Sequence, residues 1–461
     1  MTSEQQNPLA VDKISSLILR FSVPSIIAML VSAVYNIADQ LFIGNAVGTL
    51  GNAATNIAFP LAMMCTGLGL LFGIGGAASF NLHMGAGKKE KAPYFVGNAI
   101  TMLLTVGILL FAITELFLNP LLVGFGSPAD VLPLARQYVR VTAIGFPFLI
   151  LTIGSGHLIR ADGSPKMAMF VNISGAVINI VLDIVFVSQF HMGVAGVAYA
   201  TVIAQAISAV LCMWRLMRMT DIFDFRPKYL KMKKQYSMEI IRLGLPSGIT
   251  QAIFSMAMVI VQSLTNSFGE MVIAANVIIM RVDGFAMMPN FSFGTAMTTY
   301  AGQNVGARRM DRVEQGAKQG TLVAVGTSTT ITLLIVIFGH HLMGIFTNTT
   351  ELVTLSANMM KILAVGYIAM AITQSLSGVM RGAGDTMTPM WISMVVTVVI
   401  RVPLAYGLAF LTRTPELPNG RYQVLWISML VSWCMGALLT LIFYKKGNWK
   451  KKALTGSSSE K

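Results

Sequence analysis

Asp39 stands inside a run that is otherwise apolar from about residue 21 to residue 43. In VYNIADQLFIG (Val34 to Gly44) it follows Asn36 by three positions and Tyr35 by four, a spacing that puts all three side chains on one face of a helix. A second polar set, Asn172, Asn179 and Asp183, follows the same periodicity through Ala176, with Asn179 and Asp183 one helical turn apart. Thr201 and Gln205 repeat the spacing further on. Carboxylates, an amide and a hydroxyl are hard oxygen ligands that could hold Na⁺. Two close carboxylates could instead share one proton, because neighbouring anions in a low dielectric do not both stay ionised easily. The competing reading is a helix–helix hydrogen bond of about 0.6 kcal/mol, which fits Asn172, Gln205 and Gln40 better than it fits the two acids.

What must position these residues is read from composition. The 461 residues are 55% hydrophobic and only 11% charged, against roughly 25% charged in soluble domains, and the mean hydropathy is +0.69. A bilayer core about 30 Å thick needs roughly 20 apolar residues per spanning helix. About twelve such runs are separated by short polar or Gly/Pro segments, beginning near residues 20, 53, 93, 136, 167, 194, 241, 275, 318, 358, 388 and 423. The runs at 53 and 275 are the least regular. The polar opening MTSEQQNPLAVDKISS has no small-residue cleavage site and does not read as a signal or transit peptide. Cys65, Cys212 and Cys434 fall in separate runs, too scattered for a metal motif or a disulfide framework, and read as packing residues.

The net charge of +14 sits almost wholly between the apolar runs. Lys88, Lys89 and Lys91 follow the second run, Arg160 and Lys166 the fourth, and Arg215, Arg218, Arg226, Lys228, Lys231, Lys233 and Lys234 the sixth. Arg308, Arg309 and Arg312 follow the eighth, Arg381 the tenth, and Lys445, Lys446, Lys450, Lys451 and Lys452 the twelfth. The intervening loops are poor in Lys and Arg, although Arg136, Arg413 and Arg421 soften the contrast. The bias predicts cytoplasmic N- and C-termini and a cytoplasmic central loop in a multi-pass protein of the cell membrane. Attraction to anionic lipid accounts for the basic patches, so membrane lipids are expected partners and nucleic acid is not.

The chain also repeats itself. LRFSVPS (Leu19 to Ser25) returns as IRLGLPS (Ile241 to Ser247), with Pro24 and Pro246 separated by 246 − 24 = 222 positions. LHMGAGKK returns as QNVGARRM, with Gly85 and Gly306 separated by 306 − 85 = 221, and IRADGSPKMAM as MRGAGDTMTPM, with Arg160 and Arg381 separated by 381 − 160 = 221. The expected fold is an all-α polytopic membrane protein of 12 transmembrane helices in two homologous six-helix lobes of the same orientation. Residues 1–19 form a cytoplasmic segment, 20–217 the N-lobe, 218–240 a basic linker, 241–444 the C-lobe and 445–461 a cytoplasmic tail. Parallel repeats of this kind place a pathway between the halves, which makes a transporter the leading reading.

At this point the residues resemble a known family. VPSIIAMLVSAVYNIADQLFIGN, GQNVGA (Gly302 to Ala307), RADGSP, RGAGDT and NIVLDIVFV (Asn179 to Val187) together look like the multidrug and toxic compound extrusion (MATE) family over about residues 15 to 445. The similarity is to its prokaryotic branch of DNA-damage-inducible F-like and staphylococcal-type exporters. The resemblance implies the MATE fold, export of amphipathic, mostly cationic drug-like small molecules by alternating access, and exchange against H⁺ or Na⁺. Residue by residue, Asp39, Asn179, Asp183 and Thr201 match positions tied to cation coupling in the family's N-lobe, and these four would hold Na⁺ if Na⁺ is the ion. Tyr35 and Asn36 share the face of Asp39 as cation-coupling or substrate-face residues.

The second half departs from the first. At an offset of 222 Asn179 becomes Arg401 and Asp183 becomes Ala405, while Arg281 and Asp283 are new. Some family members carry an acidic pair on the seventh and tenth spans, where this chain has Gln251 and Gln374, so no C-lobe cation site is carried over. Arg281 and Asp283, two apart, face different sides of a regular helix; Asp283 could meet a substrate cation or pair structurally with Arg401. Pro24 can kink the first span. The 32 Met and 25 Phe could line an adaptable cavity, though such residues more often face lipid or pack between helices. Five His, no HExxH and no P-loop leave no hydrolase constellation and no cofactor site, so no enzyme is expected. A flippase for a lipid-linked precursor is the main rival, a channel the third reading, and a monomer the expected state.

Overall fold

Apolar side chains here point outward as well as inward: Leu116, Leu322, Ile345 and Leu411 are each more than two-thirds exposed, which only a hydrocarbon solvent tolerates over a whole surface. In such a solvent every backbone group must bond within its own segment, and closed helices are one of the two available solutions. The computed structural model describes residues 13–219 and 226–450, and among these no strand forms. The expected segments 1–12 and 451–461 of the two termini, and 220–225 of the linker, lie outside the described residues.

The helices run α1 (Ile14–Val47), α2 (Thr49–Gly85), α3 (Ala92–Leu116), the short α4 (Leu118–Gly124), α5 (Leu132–Ile144), α6 (Phe146–Ala161), α7 (Pro165–Asp183), α8 (Gly193–Met217), α9 (Pro227–Leu230), α10 (Lys234–Asn266), α11 (Glu270–Gly306), α12 (Met310–Gly344), α13 (Thr350–Ala364), α14 (Gly366–Gly382), α15 (Met387–Met394), α16 (Val402–Leu411) and α17 (Val424–Lys446). Two stretches of wider π-helix, Ile184–Gln189 and Val395–Arg401, continue α7 and α15. Ten helices are long and apolar enough to cross a membrane, and the bent pairs α5–α6 (52°) and α13–α14 (42°) raise the candidate spans to twelve. Both bends sit at a one-residue break, Gly145 and Val365, and in the first Pro147 opens the following helix, where its missing N–H costs nothing. The two runs of least regular hydropathy become α2 and α11, each 37 residues long and each carrying an internal proline, Pro60 and Pro289. Helices of that length, about 55 Å, exceed the hydrocarbon layer, which is why several begin before the apolar run that marks them. Thus α10 starts at Lys234, inside the 218–240 segment expected as linker.

The chain divides into two compact units, one of residues Val23–Gly248 and the other running from Ile249 onward together with the start of α1 up to Ser22. The divisions fall within α1 beside Pro24 and within α10 close to Pro246.

In the Val23–Gly248 unit, α2, α3, α6 and α8 enclose Phe80, Phe95, Ile100, Leu103, Ile150 and Ile159, and Cys65 and Cys212 are buried, whereas Cys434 of the other unit is exposed. Backbones approach closely at small residues, as membrane helix pairs require. A methyl added at Gly73 would fall 2.5 Å from the Gly154 Cα, and one at Gly244 would overlap the Leu71 carbonyl oxygen. Asn98, fully buried in α3, pins the basic segment: its Nδ2 donates to the Tyr229 carbonyl (3.2 Å), and its Oδ1 accepts from the Lys233 N–H (2.9 Å) and the Ser237 hydroxyl (3.1 Å). In the loop RADGSP, Arg215 Nη2 donates to Asp162 Oδ2 and to Ser164 Oγ; burial raises the Asp162 carboxyl above its ordinary range, and Arg215 opposes that shift.

The second unit packs Tyr367, Trp426, Trp433, Met360 and Leu363 among α11, α13, α14 and α17. Here too α11 and α14 meet at glycines, since a methyl at Gly378 would overlap the Gly294 carbonyl, and Gly294 lies 294 − 73 = 221 positions after Gly73. Thr332 Oγ1 donates to the Ala364 carbonyl at 2.6 Å, satisfying an acceptor beside the α13–α14 break.

The first repeated motif lies inside helices α1 and α10, and the other two form turns. Gly163 and Gly384 have φ of 79° and 87°, and Gly87 and Arg308, at the same offset of 308 − 87 = 221, have φ of 73° and 58°. The left-handed conformation costs a residue with a Cβ about 1–2 kcal/mol, so Arg308, exposed on the surface, stores strain that Gly87 avoids. Replacing Arg308→Gly is expected to stabilise the protein by up to about 1 kcal/mol, read as a higher unfolding midpoint in detergent. Gly244→Val is expected to act in the opposite direction by about 3 kcal/mol or more, seen as loss of monodisperse protein on size exclusion.

Candidate functional site

Three helices of the Val23–Gly248 unit carry the polar residues singled out by spacing. Asp39 lies two turns before the end of α1 and is 9% exposed. Asp183 is the last α-helical residue of α7 and is fully buried, with the π-helical turn beginning at the next position. A π-bulge re-aims side chains around it and is frequent at functional sites. Asn179, one turn earlier, is 2% exposed, and its Nδ2 faces the Thr201 hydroxyl of α8 at 3.4 Å.

The two carboxyl groups lie within hydrogen-bonding reach of each other. Neither receives enough from the protein: Asp39 Oδ1, both carboxyl oxygens of Asp183 and Asn179 Oδ1 are buried and have no hydrogen-bond partner. An ionised carboxylate held so would carry a large desolvation cost. The arrangement therefore suits a bound proton, shared across the pair, or a small cation met by oxygens of four residues: Asp39, Asp183, Asn179 and Thr201. Among the described residues no group of three His, Cys, Asp or Glu comes together.

Tyr35 is half-buried and lies in electrostatic range of Asp39, while Asn36 is exposed and donates at 2.7 Å to the Ser32 carbonyl of its own helix. The face expected to hold both thus gives the cluster Tyr35 and turns the Asn36 amide back along α1. Asn172 likewise bonds its own helix, to the Ala168 carbonyl at 2.9 Å, and Gln40 bonds the Thr55 hydroxyl of α2 at 3.3 Å. Spacing missed Tyr138, which α5 brings into electrostatic range of Asp39, Tyr35 and Asp183. Its sequence context, RQYVRVTAIG, holds two arginines and marks the start of a span rather than a site; only the bend at Gly145 and the packing of α5 on α2 and α8 place it there.

In the other unit Arg281 and Asp283 do face apart on α11: Arg281 is exposed, and Asp283 is 8% exposed and accepts the Tyr367 hydroxyl at 3.0 Å. Arg401 ends the second π-helical stretch and is 7% exposed. Its Nη2 lies 3.5 Å from the Met429 sulfur and its Nε has no partner; Asp283 lies in electrostatic range of it, without a direct ion pair among the described residues.

The chain is similar to known proteins along most of its length. The chain is similar to a probable multidrug resistance protein of Bacillus subtilis, YoeA, at 26% identity over 442 residues, covering 94% of both chains. It is similar to the multidrug export protein MepA of Staphylococcus aureus at 23% identity over 368 residues, covering 80% of this chain and 81% of MepA. The fold is that of a solved protein described as the outward-facing conformation of a multidrug resistance MATE family transporter of the MOP superfamily, with a TM-score of 0.89 at 22% identity over 98% of this chain and 100% of that one. The family model described as MatE matches residues 24–185 and 246–407, one copy in each half, and the chain belongs to the MATE family.

Proposed function

We propose that the chain is a secondary active multidrug transporter that exports amphipathic, mostly cationic compounds in exchange for H⁺ or Na⁺ by alternating access. The observation that carries the reading is the Asp39–Asp183 pair, two buried carboxyl groups in mutual reach with orphaned oxygens. With one proton between them the pair holds a single negative charge; with none it holds two, and each state favours a different occupant of the surrounding apolar space. Asn179 and Thr201 complete the oxygen set that Na⁺ would use. The names of YoeA, a probable multidrug resistance protein, and MepA, a multidrug export protein, support the multidrug part of this reading. The protein works as a monomer in the plasma membrane with both termini cytoplasmic, as the distribution of Lys and Arg indicates.

In proteoliposomes, dye efflux driven by an imposed Na⁺ gradient and by an imposed pH gradient, measured separately, identifies the ion. Asp39→Asn and Asp183→Asn keep the side-chain volume and remove the charge. Each is expected to lower gradient-driven efflux by roughly 5–150-fold, the range that a coupling free energy of about 1–3 kcal/mol spans, with dye binding retained. Wild-type efflux in both variants would sink the assignment.

Pro24 stands on the helix that carries Asp39, next to the boundary between the two units, and proline within a helix is a place for bending. We infer that α1 bends there as the acidic pair changes its occupant. Pro24→Ala should leave dye affinity unchanged and slow efflux several-fold; unaltered turnover argues against the bend.

A further inference from the structure

The half-chain repeat puts a counterpart of the acidic cluster in the second unit, and its charge is inverted. At an offset of 222, Asp39 corresponds to Val261, Asp183 to Ala405, Asn179 to Arg401 and Gln40 to Gln262. Three of these positions, Val261, Gln262 and Arg401, line a cavity of about 50 Å³ together with Thr265, Asn276, Trp426 and Met429. α10, α11, the π-helical stretch and α17 each contribute, and all of these lining residues belong to one unit.

Arg401 is the reason this cavity needs a ligand. A guanidinium stays charged under all ordinary conditions, and a charge at membrane depth is retained when it has a partner and a use. Arg401 is 7% exposed, its Nη2 has only the Met429 sulfur at 3.5 Å, and its Nε has no partner. Asp283 on α11 accepts the Tyr367 hydroxyl at 3.0 Å and lies in electrostatic range of Arg401, but no direct ion pair joins the two among the described residues, which leaves the guanidinium donors open to a second anion. Beside Arg401 the cavity offers the side-chain amides of Asn276 and Gln262, the latter with one N–H engaged by Asn266 Oδ1 at 2.8 Å, while the Thr265 hydroxyl donates to the Val261 carbonyl at 3.0 Å. A site needs about 10–15 Å³ of such space per water, so 50 Å³ takes a halide or a carboxylate with little attached and excludes a whole drug molecule. The methionine and tryptophan walls favour a weakly hydrated, singly charged anion over a phosphate or sulfate.

We propose that the second unit carries a monovalent-anion site built on Arg401, the charge-inverted counterpart of the acidic cluster, which takes a small inorganic anion or the carboxylate of a small organic molecule. It rests on geometry in one unit and does not depend on the ion or drug that the protein transports.

Trp426 reports on the site, since it lines the cavity and is 2% exposed. Purified protein is titrated with sodium bromide against sodium gluconate, whose anion is too large for the cavity, at constant ionic strength, following tryptophan fluorescence. A heavy halide in contact with Trp426 gives saturable quenching, and Trp426→Phe removes that component. Arg401→Gln is expected to weaken the apparent bromide affinity at least about tenfold, and Asp283→Asn to strengthen it several-fold by removing a nearby negative charge. If Arg401→Gln does not fold, Arg401→Lys, which keeps the charge and loses the fork, should weaken affinity by less, and Asp283→Asn supplies the opposite sign. Competition by acetate identifies a site that takes carboxylates; saturation without competition identifies an inorganic anion. Quenching that rises linearly without saturating, or a saturating curve unchanged in both Arg401 variants and in Asp283→Asn, overturns the proposal.

Discussion

Two carboxyl groups side by side in an apolar bundle, without protein donors to satisfy them, set the terms for the rest of the molecule. In hydrocarbon an ionised acid demands a proton, a cation or several hydrogen bonds, and here Asp39 and Asp183 have chiefly each other. Such a pair persists only if the backbone holds it. Ile43 of α1 packs with Val187 of the π-helical turn and Val197 of α8, α7 lies along α8, and the π-helical turn after Asp183 fixes where α7 aims its last carboxyl. The stability cost of the pair is thereby converted into a preference for whatever neutralises it.

The scaffold that bears this cost is held mainly by shape. Lipid tails are as apolar as leucine, so helices in a membrane gain little from hiding apolar surface and rely on close backbone approach and internal hydrogen bonds. Gly73 with Gly154, Gly294 with Gly378, and Gly244 against Leu71 supply the first. Asn98, Thr332 and Asn290 supply the second: Asn98 ties the basic segment to α3, while Thr332 and Asn290 satisfy carbonyls beside the α13–α14 break. The same device serves both units, while the polar groups it carries have diverged: an acidic cluster in one, a buried arginine beside a small cavity in the other.

The sequence by itself determined the solvent, the number of spans, the repeat and most members of the acidic cluster. Composition and run length speak directly of hydrocarbon thickness, and an offset of 221 to 222 positions is visible without any fold. Asp39, Asn179, Asp183 and Thr201 were legible because a carboxylate or amide in an apolar run has no bland explanation as economical as a site. Tertiary structure alone decided which of those residues meet. Tyr138 entered the cluster from α5 and Asn36 donates to its own helix, because helical spacing fixes a face but not what lies opposite it. Likewise Arg401 and Asp283 stand in electrostatic range without a direct ion pair, because Asp283 takes the Tyr367 hydroxyl and Arg401 borders a cavity that opens where helices of different sequence pack, a shape that no single segment encodes.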